Sequence, residues 1–449
     1  MVARKEIPVT DRLEHASVKA ALLSSLIASV LLLPQVGVTR VAAIPDFETP
    51  AAQLRLSLDS ALAEHAFLLA EAMRTGLAAG PDFAAAGRAL EANSVSVIGL
   101  IEQVYGSDAA SAFGGLWRQH IAYLIDYTRA LANDDTDAQA LAEHQLHTYV
   151  ADFSALLASA NPNLPRDVVD NLVSEHVEQL ETVASFKTAD YARAYPGIRA
   201  TYKHMFTLGD ALARAIAMQF PEKFLGVSIA FGPAANLRLN LDQLLGEHTL
   251  LAAIAMRAGA SNASDKAAAA AALGANSDEI EAAISGIYGA SAGDAFAALW
   301  KRHTDAYLAY VAAVLSQDQI GREQAIKALG DYQTDFTNFL TDANPKLSSS
   351  GLTELLRHHT QQLIDQADAF AAKDYDAAYD VVHEAYAHAI SMADALALAI
   401  AAQFPVRYPD TAVRPTSGWW GAMQALGVGI LVLLAVCLWR GRTRRFPNY

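Results

Sequence analysis

The sequence predicts an all-α protein, built as two tandem homologous up-and-down helical bundle modules plus a C-terminal transmembrane helix. Three observations predict this class. Alanine and leucine dominate, β-branched residues are sparse, and apolar residues recur at spacings of three and four. A long set of residues recurs at one offset along the chain. Residues 421–439 carry no charge and are numerous enough to cross a bilayer as a helix.

Composition narrows the class further. The chain has 449 residues, 53% of them hydrophobic and 18% charged, and a formal net charge of -15. This length predicts two or three domains, and the apolar fraction excludes a disordered chain. A single cysteine, Cys437, excludes a disulfide scaffold and any cysteine-based zinc or iron–sulfur site. The acidic balance argues against nucleic acid as a partner, because phosphate binding needs a basic face.

Residues 1–43 are predicted to be a signal peptide. A basic flank precedes an apolar run at 20–33, which is shorter than a full membrane span. The small residues Val41-Ala42-Ala43 are suited to cleavage. An uncleaved membrane anchor is the alternative.

The other end is predicted to hold the protein in the cell membrane as a single-pass protein. Trp419, Trp420 and Trp439 lie at the two ends of the 421–439 span, as in an aromatic belt. Residues 440–449 contain four arginines and are predicted to stay in the cytoplasm, which puts the ectodomain outside. A buried core helix is the alternative for the span. Cell-wall sorting is a minor alternative, because residues 408–412 resemble a Gram-positive sorting motif.

The ectodomain contains an internal duplication. Residues of the first copy recur 183 positions later and, after one insertion, 184 positions later. Matched pairs include Leu54 and Leu237, Tyr105 and Tyr288, Trp117 and Trp300, Asn161 and Asn344, Tyr202 and Tyr386, and Asp210 and Asp394. We therefore predict one module at 50–224 and a second at 236–408, joined near Phe231-Gly232-Pro233.

Each module is predicted to contain six helices. In the first copy they are expected at 52–77, 83–104, 108–132, 136–160, 166–186 and 198–219. Turn-forming residues separate them, and Pro196-Gly197 is taken to mark the start of the last helix. Short connections make consecutive helices antiparallel, hence an up-and-down bundle.

Four helices of each module carry a histidine on their apolar seam. Each histidine lies near the middle of its helix, so the four imidazoles of a module are expected to share one layer. These residues are His65, His120, His176 and His204 in the first module, and His248, His303, His359 and His388 in the second. Buried imidazoles need partners, which a metal ion supplies together. Imidazole suits copper, zinc, iron or nickel, and the Irving–Williams order favours Cu(II).

Two other interpretations of the seam stay open. The histidines can serve packing alone in a structural or interaction module, or two of them can hold a haem iron. No residues form a nucleophile, base and orienting group, so the sequence identifies no catalytic residue. Glu64 and Glu247 each precede a histidine and are expected to face solvent. The carboxylates repeated in both copies, such as Asp59 and Asp242, are expected to cap helices or bond between them.

Several of these motifs also resemble a known group of proteins. They are Leu-Arg-x-x-Leu-Asp-x-x-x-x-Glu-His (54–65, 237–248), Leu-Trp-[RK]-x-His (116–120, 299–303) and Tyr-x-His (202–204, 386–388). The chain resembles exported bacterial tandem-repeat helical proteins that carry the label "copper amine oxidase". Enzymes properly so named are β-sandwich proteins with a His-x-His pair and a tyrosine-derived quinone. This chain lacks His-x-His, and its one Asn-Tyr pair is Asn448-Tyr449. The label therefore implies neither the fold nor the oxidase activity of those enzymes for this chain.

Overall fold

A computed structural model describes residues 46–409. The predicted signal peptide (1–43), transmembrane helix (421–439) and basic tail (440–449) lie outside the described residues. Within 46–409 the chain is helical and contains no strand, so the all-α class is confirmed. The α-helices are α1 (Pro50–Leu77), α2 (Phe83–Tyr105), α3 (Ser107–Ala132), α4 (Thr136–Ala160), α5 (Arg166–Glu181), α6 (Tyr191–Gln219), α7 (Pro233–Ala260), α8 (Lys266–Tyr288), α9 (Ala290–Leu315), α10 (Gln319–Ala343), α11 (Ser349–Ala371) and α12 (Tyr375–Gln403).

Short turns connect the helices, and capping aspartates and connecting glycines determine their conformation. Aspartates cap several N-termini: the side chain of Asp135 accepts from Ala138 N, and that of Asp318 accepts from Gly321 N. A single residue joins α2 to α3 and α8 to α9. Both connectors are glycines, Gly106 and Gly289, with φ of 87° and 93°. An L side chain rarely adopts this backbone conformation, so glycine is required at both corners.

In each half of the chain the six helices form a closed arrangement, in which the last helix packs against the first. In the first half every helix packs against the next, and α6 returns to pack along α1. In the second half α7 to α12 do the same, with α12 returning to α7. The halves meet where α6 contacts α7 and α8, where α12 contacts α2, and where α1 contacts α7. The described residues all lie in a single compact unit.

The hydrophobic core continues from one half into the other. The larger core cluster contains Leu62 and Leu69 of α1, Leu251 and Met256 of α7, and Tyr386 of α12. A smaller cluster lies within the second half, apart from Phe47. Apolar packing therefore continues across the contact between the halves.

The start of α6 differs from the prediction. The helix begins at Tyr191, with Pro196 inside it, instead of at 198. The Asp190 side chain accepts from Arg193 N, which caps the helix upstream of the proline. Gly197 packs against Thr182, where a Cβ would clash with the threonine hydroxyl. The proline is therefore accommodated within the first turns of the helix.

One described helix, α12, is long and apolar enough to cross a membrane. Half of its most apolar stretch is buried within the protein, where α12 packs against α7 and α11. A buried core helix passes the same test of length and composition.

Candidate metal centre

Three histidines of the first half meet inside the bundle. His65 of α1, His120 of α3 and His176 of α5 are only 0, 1 and 6% exposed. Each offers a ring nitrogen, and the three nitrogens lie within 4.8 Å of one another. Among residues 46–409 no other three ligand atoms of His, Cys, Asp or Glu come this close. The first half thus contains a buried group of three imidazoles that can hold a metal ion; we call it the histidine trio.

Aromatic side chains restrict two rings of the trio. The Trp117 ring centroid lies 4.3 Å from that of His65, and Trp117 Nε1 donates to Ser94 Oγ at 3.2 Å. Tyr149 stacks on His120, with ring centroids 4.9 Å apart and planes 22° apart. Close packing of this kind limits the rotamers that the imidazoles can adopt.

The hydrogen bonds of the trio leave ring nitrogens unpaired. His65 Nε2 and His120 Nε2 are 3.1 Å apart, so one donates to the other when no ion is bound. His176 Nδ1 lies 3.1 Å from Thr201 Oγ1. Within the described part of the chain, the Nδ1 atoms of His65 and His120 and the Nε2 atom of His176 have no hydrogen-bond partner. When His176 Nδ1–H donates to Thr201, its Nε2 lone pair remains free for an ion.

Burial keeps the trio uncharged. The pKa of His65 is well below 6.5 because burial disfavours the charged ring and because His120 and His176 would repel its charge. Burial likewise lowers the pKa of His176, and it lowers the pKa of His120 to about 3. Neutral imidazole is the form that binds metal, so the trio is ready for an ion at neutral pH.

The corresponding residues of the second half have nearly the same spacing. His303 Nε2 and His248 Nε2 are 3.2 Å apart, and the ring centroids of His248 and His359 are 6.2 Å apart, against 6.1 Å for His65 and His176. The residue that corresponds to Thr201 is Ala385, which has no hydroxyl to bond the third ring. His359 Nδ1 is buried without a partner among the described residues. The two halves thus differ in the hydrogen bonding of the third ring.

The fourth seam histidine of each half bonds to the main chain. His204 Nε2 donates to Leu172 O at 2.8 Å, and His388 Nε2 donates to Leu355 O at 2.9 Å. Each bond ties its helix, α6 or α12, to the helix before it. Ligation by these two residues, and by the three histidines of the second half, stays a prediction.

The two glutamates next to the seam do not face solvent, contrary to expectation. Glu64 and Glu247 are 5% and 2% exposed. His383 Nδ1 lies 2.6 Å from Glu64 Oε1, and Arg199 Nε donates to Glu247 Oε1 at 2.9 Å. Each carboxylate thus pairs with a basic side chain, histidine or arginine, from the other half of the chain. The contact between the halves covers a face of α1 and α7 that periodicity alone assigns to the exterior.

The repeated aspartates divide into two kinds. Asp210 and Asp394 accept from Arg55 and Arg238 and so link helices, as expected. Asp59 is fully buried, and its carboxyl oxygens have no hydrogen-bond partner within residues 46–409; those of Asp242 behave alike. Burial, and then the nearby Asp210, raise the pKa of Asp59 well above its usual value. The raised pKa favours the neutral form of Asp59, whose Oδ2 lies 3.9 Å from Arg55 Nε.

Comparison with known proteins finds no relative. No family model matches the chain. No curated protein and no solved structure matches it either.

Proposed function

We propose that this protein binds a metal ion, most favourably copper, at the histidine trio of its first half. One observation carries the proposal: three neutral, buried imidazoles offer ligand atoms within 4.8 Å of one another. Metal–nitrogen bonds of about 2.0–2.1 Å place two ligand nitrogens of a trigonal or tetrahedral site roughly 3.3–3.6 Å apart. His65 Nε2 and His120 Nε2, at 3.1 Å, are already near that spacing.

The ligand set favours copper over the alternatives. Imidazole accepts copper, zinc or iron, and affinity in the Irving–Williams order is greatest for copper. The trio includes no carboxylate, so no ligand balances the charge of the ion. Burying net charge is costly, so the singly charged Cu(I), when copper is supplied in that form, is less costly to bury in the site than Cu(II). We therefore extend the proposal to both oxidation states.

The surroundings of the trio argue against haem in the first half. The apolar cavity of the first half, lined by residues such as Leu62, Val97 and Trp117, is about 70 Å³, and none of the trio lines it. Sites for cofactors of that size occupy roughly 300–1,000 Å³. A packing role for the histidines is the remaining alternative, and the binding experiment decides it.

The wider proposal is a membrane-anchored extracytoplasmic protein with two homologous modules that stores, buffers or senses copper. Matched contacts support the two modules. Tyr195 OH of the first half donates to Asp265 of the second at 3.0 Å, while Tyr379 OH of the second donates to Asp82 of the first at 3.2 Å. Reciprocal contacts of this kind are those of a two-fold interface between two copies of one fold.

The test is equilibrium dialysis of the purified full chain against Cu(II), Zn(II) and Fe(II), and against Cu(I) held reduced. Wild type is compared with the double variant His65→Ala, His120→Ala. A matched control is the variant His248→Ala, His303→Ala, which removes the corresponding pair of the second half. We expect the first variant to lose the tightest-bound ion and the control to retain it. Equal uptake by all three proteins, each checked for helicity by circular dichroism, would leave the histidines with a packing role only.

A further inference from the structure

The second half contains a large apolar cavity that the first half lacks. Its volume is about 580 Å³, whereas the corresponding space of the first half is about 70 Å³. It lies between α7 and α12 and runs from His303 and His359 near mid-bundle towards Asn344 and Lys346 at one end. A volume of this size falls within the range of ligand sites in proteins.

Side-chain size contributes to the difference between the two halves. Met205 of α6 is 1% exposed in the interior of the first half. Its counterpart in α12 is Ala389, which lines the cavity. Replacing methionine by alanine removes most of a flexible side chain that fills core space. This substitution accounts for part of the larger space in the second half.

The cavity is apolar inside and basic at its end. Phe296, Trp300 and Phe336 form one wall, and no aspartate or glutamate lines it. Lys346 is exposed at the end, and no ion pair or hydrogen bond of its ammonium occurs within the described residues. The first half has the uncharged Asn163 at this position. Ser348, beside Lys346, caps the N-terminus of α11, where the helix dipole also favours an anion.

The shape of the cavity selects among apolar ligands. Along α12 the lining residues run from Ala389 to Ala402, which is about 20 Å at the rise of an α-helix. Dividing the volume by that length gives a mean cross-section of about 30 Å². A cavity of this length and volume accommodates a hydrocarbon chain.

We infer that the second half binds a long-chain anionic amphiphile of the fatty-acid class. The hydrocarbon chain occupies the cavity, and the carboxylate lies at Lys346 and the N-terminus of α11. This site is separate from the histidine trio and does not depend on metal binding.

The experiment uses the full chain and a palmitate analogue that carries a photoreactive diazirine on its chain. After irradiation, mass spectrometry of the digested protein locates the label. We expect labelling within 332–348 and 389–402, and at least tenfold less label in Ala389→Met, which carries the residue of the first half. Lys346→Asn should weaken competition by palmitate severalfold and leave competition by its uncharged methyl ester unchanged. Lys346 is exposed, so this variant should fold even where Ala389→Met does not.

Four outcomes would overturn the inference. Label outside these segments would place the ligand elsewhere. Equal labelling of Ala389→Met, with helicity unchanged, would exclude the cavity. Equal competition by palmitate and its ester in the wild type would exclude the carboxylate site. Labelling by a photoreactive phosphatidylcholine but not by the free acid would replace the fatty acid with a membrane lipid. The variant His65→Ala, His120→Ala should label normally, which separates this test from that of the metal site.

Discussion

A single hydroxyl group is expected to decide how tightly the trio binds its ion. Thr201 is fully buried, and its Oγ1 lies 3.1 Å from His176 Nδ1. The change Thr201→Val keeps the shape of the side chain and removes the oxygen. The imidazole then loses the partner that sets both its orientation and its tautomer.

The size of the expected loss in affinity follows from the His176 Nδ1–H group, which Thr201→Val leaves without a hydrogen-bond partner. A buried donor without a partner costs about 1–3 kcal/mol. Removal of a partner that orients a metal-bound histidine costs about 10- to 100-fold in metal affinity, which is about 1.4–2.7 kcal/mol. We therefore expect Thr201→Val to weaken Cu(I) binding at least tenfold and to keep the wild-type helicity.

The assay is competition for Cu(I) against a chromophoric chelator of known affinity, at fixed pH. The matched variant is Ala385→Thr, which places a hydroxyl beside His359 at the corresponding position of the second half. It should add a second tight ion per chain. Unchanged affinity in Thr201→Val would refute the reasoning, because His176 would then be oriented without the hydroxyl or would not be a ligand.

Two further predictions concern pH. Without metal, the free energy of unfolding should fall as the pH drops from about 6.5 towards 3, because burial lowers the folded-state pKa of His120 and His303 to about 3 and the unfolded rings still protonate near 6.5. Protonation of each ring lowers the free energy of unfolding by at most about 4–5 kcal/mol. Urea unfolding at a series of pH values, with a chelator present to remove metal, measures this loss. An increase in stability as the pH falls over this range would contradict the lowered pKa of these histidines. The bond to Glu64 raises the pKa of His383, so its contribution is present below pH 6.5 and is lost as the pH rises through the raised pKa. His383→Arg, which introduces the residue found at Arg199, should match wild type at pH 6 and exceed it in stability at pH 9, as the difference between urea midpoints would report.

The sequence was sufficient to predict the helices and the level at which the histidines lie. Positions at spacings of three and four put His65, His120 and His176 on interior faces, and similar distances along their helices put them at one height. Periodicity says nothing about the direction of a ring. His204 lies on a seam like the others, yet its Nε2 donates to the main-chain carbonyl of Leu172 in α5.

Burial of the glutamates could not be predicted from one helix at a time. Glu64 lies about 100° around α1 from His65, on a face that an isolated bundle leaves outside. The interface with the second half covers that face. A signal was present in the sequence: the segment from Ala66 to Met73 is apolar except for Glu71, which is typical of a helix enclosed on nearly every side.

The most informative differences between the halves are single substitutions within a shared framework. Thr201 bonds to the third imidazole of the first half, whereas Ala385 has no hydroxyl for that of the second; Met205 is buried in the first half, whereas Ala389 lines the cavity of the second. The two substitutions lie one helical turn apart on the same face, so both act on the space beside the third histidine of their half.

This arrangement predicts that the two properties can be exchanged. The double variant Ala385→Thr, Ala389→Met gives the second half the side chains of the first at both positions. It should gain a tightly bound Cu(I) ion at His248, His303 and His359 and lose photolabelling by the palmitate analogue. Each single variant should change its own readout alone: Ala385→Thr the copper stoichiometry, and Ala389→Met the labelling. If Ala389→Met alone also creates the second copper site, then closing the cavity orients His359 by packing, and the hydroxyl is not the deciding group.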